Sequence, residues 1–244
     1  MKCPKCQVEQ NDSNTTCIHC GVVFEKYFKY HPPSKDCSTT SPKPIPQQSN
    51  ISIREILLYP GNKVDSPSVY SRAALLIIIS IWGFSLIFSS IASNTAGSSF
   101  LHLINLPFHE AGHVIFRPFG EFMTSLGGTL GQLAIPLICF YVFLIKQHNT
   151  YASSICAWWF GENFLDIAPY INDARAGQLL LLGGNYGHSS PYGFHDWEYL
   201  LTETGLLQYD QAIAVGAHFL GSTIMISSII WGAIIVFKQF KMLS

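Results

Sequence analysis

Residues 73–93, AALLIIISIWGFSLIFSSIAS, are 21 consecutive residues without a charge. About 20 helical residues cross a hydrocarbon core roughly 30 Å thick, so this stretch reads as a transmembrane helix, and that reading decides the fold. Two later stretches pass the same test. Residues 122–145 give 24 uncharged positions and residues 211–237 give 27, each followed by a lysine, Lys146 or Lys238. Lipid offers backbone N–H and C=O groups no partner, which leaves helices as the ready solution. The expected fold class is therefore an all-α polytopic membrane protein, with about 4–6 membrane helices, carrying a small N-terminal module described below.

Composition supports this. Of 244 residues 12% are charged, against about 25% in an ordinary soluble domain. Fourteen Lys/Arg against 15 Asp/Glu give a net charge of −1, which argues against a protein held to nucleic acid by a basic surface. The 48% of hydrophobic residues argues against disorder over most of the length. Nine of the 14 Lys/Arg precede residue 73, so the chain divides into a charged N-terminal part and a charge-poor remainder. The expected organisation is a zinc-ribbon module at 1–30, a Pro/Ser-rich linker and juxtamembrane segment at 31–72, and a helical membrane domain at 73–244.

The module carries Cys3-x2-Cys6 and Cys17-x2-Cys20 with ten residues between the pairs. Two such knuckles close a tetrahedral zinc site. About 30 residues bury too little apolar surface to fold alone, so metal binding supplies much of their folding free energy. Thiol ligands suit a reducing compartment, which places the N-terminus in the cytoplasm. Cys37, Cys139 and Cys156 read as free thiols. CPKC…CIHCGVVFEKY resembles the short zinc ribbons at the ends of many microbial proteins, which implies one structural zinc and a docking or sensing role with a cytosolic protein partner. Four lysines among the first 30 residues, set against acidic neighbours, make a weak footprint for nucleic acid.

Two apolar stretches carry charges and are therefore the informative ones. Residues 151–171 contain Glu162 and Asp166. Residues 100–120, FLHLINLPFHEAGHVIFRPFG, contain His109-Glu110-Ala111-Gly112-His113, an HExxH pattern. At i and i+4 of a helix the two imidazoles share one face and can grip one zinc, with Glu110 placed as general base. A charge in the membrane is expensive and marks a functional site. Pro107 and Pro118 bracket the motif and confine it to a short helix.

HEAGH resembles the zinc motif of the site-2 protease type of intramembrane metallopeptidase. The resemblance implies His109 and His113 as ligands of a catalytic Zn2+ and Glu110 as the catalytic base. Gly128-Thr129-Leu130-Gly131-Gln132 looks like that family's G-P-x-x-N element, and GENFLDIAPYINDARAG resembles its Asn/Pro-rich stretch ending in a ligand aspartate. For the third ligand two residues stay open. Asp166 lies deeper in the apolar stretch, where an unpaired carboxylate is hardest to explain, and is the first choice; Asp173 fits the family's chain order and is the alternative. The later loop, 183–210, supplies Asp196 as a helix N-cap, on a helix that reads as an inert surface element or a lid; His188 and His195 there are not taken as ligands.

The function expected is an integral-membrane, multi-pass zinc metalloprotease that hydrolyses peptide bonds in or near the bilayer, its partner a membrane-protein substrate segment. The competing function is a non-catalytic membrane adaptor or sensor whose ribbon binds a cytosolic partner. A metal transporter is the third, and the absence of repeated His or carboxylate sites on several spans weighs against it.

Overall fold

The computed structural model describes residues 1–31, 52–61 and 64–243, and the chain divides into two compact units, Met1–Ser49 and Asn50–Ser244. Cys37 and most of the expected linker lie outside the described residues.

In the first unit each cysteine pair sits on its own tight turn. Antiparallel bridges Lys2–Glu9 and Thr16–Val23 close the turns, and the short helix α1 (Phe24–Tyr30) follows. Cys3, Cys17 and Phe24 are its buried side chains. An apolar centre this small cannot offset the ordering of the chain, which agrees with folding that depends on metal.

The second unit is helical, with no extended strand among the described residues. Its helices are α2 (Ile53–Leu57), α3 (Ser66–Ile87), α4 (Phe100–Phe116), α5 (Glu121–Tyr141, prolonged by a π-turn over Val142–Lys146), α6 (Thr150–Asn172), α7 (Asp196–Glu203) and α8 (Asp210–Lys241). Asp65 starts α3 by accepting the Ser68 N–H, a side-chain N-cap.

Three helical segments are long and apolar enough to cross a membrane: Ser66–Ile87, Glu121–Lys146 and Leu207–Lys241. Their outward residues include Ile77, Ile78 and Ile81 on α3, Leu137 and Ile138 on α5, and Phe219, Ile230 and Phe237 on α8, all exposed. Water does not tolerate so large an apolar surface on a monomer, and an integral membrane protein explains it. Among the described residues these three helices meet the length and hydropathy of a span, where four to six membrane helices are expected. α4 has only 17 residues, about 25 Å at 1.5 Å per residue, and α6 is continuous but its apolar run is broken by Glu162, Asn163 and Asp166. α6 packs between α5 and α8, α4 lies along α5, and the two carry the polar chemistry.

Close backbone approach governs the packing. α6 lies against α8 where a Cβ on Gly161 would stand 2.8 Å from the Gly221 carbonyl oxygen, and one on Gly221 would stand 2.5 Å from that of Gly161. α4 lies against α5 through Gly112, Gly127 and Gly131 in the same way. Small residues let membrane helices approach until backbones touch. The main apolar core joins α3, α6 and α8 through Leu76, Ile79, Leu86, Trp158, Leu165 and Met225.

Residues 52–61, expected to be linker, are docked instead. The carbonyls of Leu57, Leu58 and Pro60 accept hydrogen bonds from Trp231, Lys238 and Gln239 of α8 at 2.6, 3.0 and 2.8 Å, and Tyr59 O accepts from Thr150. Four consecutive carbonyls with side-chain donors make this segment part of the membrane unit, and α3 begins at Ser66, seven residues before the charge-free run.

Candidate metal centres

The four thiols of the first unit meet as their spacing requires. Cys3 Sγ lies 3.7 Å from Cys20 Sγ and Cys6 Sγ 3.6 Å from Cys17 Sγ, and all four sulfurs fall within 4.8 Å of one another. The backbone N–H groups of Cys20 and His19 point at Cys17 Sγ from 3.5 and 3.4 Å and lower its thiol to about 6 against the opposing effect of burial. A thiolate is the form that binds metal. The arrangement fits one tetrahedral ion with no open position. Cys17→Ser should remove one zinc equivalent and melt the module, with metal at the membrane-domain site unchanged; elemental analysis and circular dichroism of the purified protein check both parts.

The second cluster is built on α4. His109 and His113 stand one turn apart with ring centroids 4.7 Å from each other. His109 Nδ1–H donates to Gln132 Oε1 on α5 at 2.7 Å, and His113 Nδ1–H donates to the Thr124 carbonyl at 2.7 Å. Both acceptors are acceptor-only oxygens, so each ring carries a proton on Nδ1, and the neutral imidazole would offer its Nε2 lone pair to a metal. Gln132 is held in turn: its amide nitrogen donates to Asn163 Oδ1 at 3.1 Å, and Asn163 donates to the Trp159 carbonyl at 2.9 Å. The GTLGQ and GENF segments thus orient the His109 ring.

Both Nε2 atoms face one carboxylate oxygen. Asp196 Oδ2 lies 3.1 Å from His109 Nε2 and 3.4 Å from His113 Nε2, and the three ligand atoms fall within 4.8 Å of one another. Burial alone would raise the Asp196 carboxyl; the hydrogen bonds and charge of the two histidines outweigh it and hold it below the usual carboxylate range. Tyr170 Oη accepts the Asp196 backbone N–H at 3.0 Å and stands 3.4 Å from Oδ2. Two imidazoles and one carboxylate with a remaining open position is a donor set that suits zinc. Space is kept for an ion as well: a Cβ on Gly128 would stand 2.5 Å from His109 Nε2 and 2.7 Å from His113 Cε1. Glu110, half-buried, follows His109 on α4.

The third member is therefore neither aspartate expected from the sequence. Asp166 lies elsewhere, with Oδ1 2.9 Å from His102 Nδ1 and Oδ2 accepting from Asn105 at 3.0 Å. Asp173 shapes the following loop, accepting the backbone N–H groups of Gln178 and Leu179 at 2.9 Å each. Arg175 pairs with Asp210 at 2.7 Å rather than with either. Asp196 is also not the cap of α7. His195 caps it, Nδ1 accepting the Glu198 N–H at 3.1 Å; burial holds its imidazole below the ordinary range in spite of Asp173 and Asp196, which keeps Nδ1 an acceptor. His188 donates to the Gly177 carbonyl and takes no part. In comparisons with known proteins, no family model, no curated protein and no solved structure matches this chain.

Proposed function

We propose that this protein is an integral-membrane zinc peptidase. The observation that carries the reading is the convergence of His109 Nε2 and His113 Nε2, each ring pinned through Nδ1 on the helix that also bears Glu110, with Asp196 Oδ2 of α7. These three residues would hold zinc, which when bound would supply Lewis-acid chemistry for polarising a carbonyl and for making water a nucleophile near neutral pH. Glu110 then serves as the proton carrier, accepting one from the attacking water and returning it to the departing amine. Gln132, Asn163 and the Thr124 carbonyl keep the histidines oriented while that charge moves. Placement among apolar helices suits a membrane-protein segment as substrate. The ribbon, closed by four thiols, is a docking arm for a cytosolic protein, and its zinc is structural.

The test is Glu110→Gln assayed against a library of fluorogenic single-span peptides in lipid vesicles. Glu110→Gln should keep its zinc and lose cleavage by about 10²–10⁴-fold, the usual contribution of a general base. Cleavage that persists in Glu110→Gln, or zinc-loaded wild type that cleaves none of the library, overturns the reading. The adaptor alternative predicts the opposite pattern in cells: Glu110→Gln without effect, and Cys17→Ser alone abolishing the phenotype.

A further inference from the structure

A second polar cluster lies between α4 and α6, apart from the candidate metal centre. Asn105 is its hinge. One Nδ2 nitrogen donates to Glu162 Oε2 at 3.1 Å and to Asp166 Oδ2 at 3.0 Å, and Asn105 Oδ1 accepts from Trp159 Nε1 at 2.8 Å. Asp166 Oδ1 meets His102 Nδ1 at 2.9 Å. Glu162 has no solvent exposure, and its second oxygen, Oε1, has no hydrogen-bond partner among the described residues.

The charges in this cluster do not balance if both acids are ionised. His102 can neutralise one carboxylate, and it faces Asp166. Among the described residues Glu162 makes no ion pair. Across the elements packed around it, α4 brings His102, α6 brings Asp166, and α8 has His218 as its sole ionisable side chain between Asp210 and Lys238. On α5 Glu121 and Lys146 sit at the ends with Cys139 and Tyr141 between them; on α3 Arg72 lies against the Tyr151 ring, with Tyr70 beside it in sequence. A bare carboxylate oxygen in an apolar interior is among the costliest arrangements a protein can hold, and two carboxylates on one amide repel each other.

We propose that His102, Asn105, Glu162 and Asp166 form a proton-binding site in which Glu162 carries one exchangeable proton. On release, the Glu162 carboxylic acid gives that proton to solvent and becomes a carboxylate. The cluster meets its surroundings at His102, whose side chain is 36% exposed, whereas that of Asp166 is 2% exposed. Protonated, the site is neutral overall, with Asp166 paired to His102 and Glu162 uncharged. Deprotonated, it sets two negative groups against the amide that fastens α4 to α6, one helical turn before His109. The state of this proton thereby biases how α4 sits.

Infrared spectroscopy of the full chain in detergent, titrated from acid to alkaline pH, tests this. Wild type should show a protonated-carboxyl carbonyl band that persists above the pH at which exposed carboxyls are ionised, shifts in heavy water, and disappears at alkaline pH. The whole band should be lost in Glu162→Gln and kept in Glu110→Gln. Asp166→Asn, which removes the like charge, should move its titration to lower pH and serves should Glu162→Gln fail to fold. No such band in wild type, a band that survives in Glu162→Gln, one lost in Glu110→Gln, or a titration unmoved by Asp166→Asn overturns the proposal. None of these readouts depends on metal or peptidase activity.

Discussion

Asp196→Ala should take the purified protein from two zinc equivalents to one, while Asp166→Asn leaves two; the count follows from two clusters with metal-binding geometry. The substitution removes one of three convergent donors and leaves His109 and His113 anchored through Gln132 and Thr124, so α4 keeps its place and the loss falls on the metal alone. A ligand should matter more than what supports it. Outer-shell partners of metal ligands are worth about 10–100-fold in affinity, which sets the expectation for Gln132→Ala; Asp196→Ala should exceed it. Zinc by elemental analysis, with the ribbon's ion as internal reference, decides the matter. Two equivalents retained in Asp196→Ala, or one lost in Asp166→Asn, would return the third ligand to α6.

Why Asp196 escaped the sequence is a physical question. A carboxylate within an apolar run is conspicuous because lipid penalises it, and that rule drew attention to Asp166. The penalty is real, but it is met by His102 and Asn105 rather than by metal. A carboxylate in a Gly- and aromatic-rich loop is ordinary by composition, and its place at a helix start marks Asp196 as a cap rather than as a ligand. What brings it to the histidines is tertiary: Asp173 holds the backbone of Gln178 and Leu179, Arg175 holds Asp210, Tyr170 receives the Asp196 N–H, and His195 caps the helix that aims it. By contrast the three apolar helices and the thiol cluster were legible, because length without charge and cysteine spacing are each local properties with a single cheap solution. The docked segment at 52–61 was not, since its partners lie about 90 to 180 residues away along the chain.

Gly112→Ala should lower the melting temperature and empty the membrane-domain site together, whereas Gly128→Ala should empty the site with little loss of stability. A Cβ on Gly112 would stand 2.0 Å from the Gly127 carbonyl oxygen and 3.2 Å from Gly128 Cα. Both obstacles are backbone, so the helices themselves must part. Overpacking costs about 1–3 kcal/mol and occasionally more where nothing can yield. Separation of α4 from α5 also draws His109 from Gln132 and His113 from the Thr124 carbonyl, and with their tautomers unpinned the ligands lose affinity. At Gly128 the neighbours are ring atoms of His109 and His113, which can turn aside; turning aside is what ruins them as ligands. Gly216→Ala on α8, where a Cβ meets nothing within 4 Å, is the control and should change neither reading. Thermal melts and zinc content of the three variants give the check. Equal stability of Gly112→Ala and Gly216→Ala would mean that α4 and α5 are not held at backbone contact. Full zinc in Gly128→Ala would mean that the space beside the two imidazoles is not where the ion sits. The run GGTLGQ therefore does two jobs with one periodicity: Gly127 and Gly131 admit α4 to contact, and Gly128 and Gln132, each one residue further on, face the histidines that contact delivers.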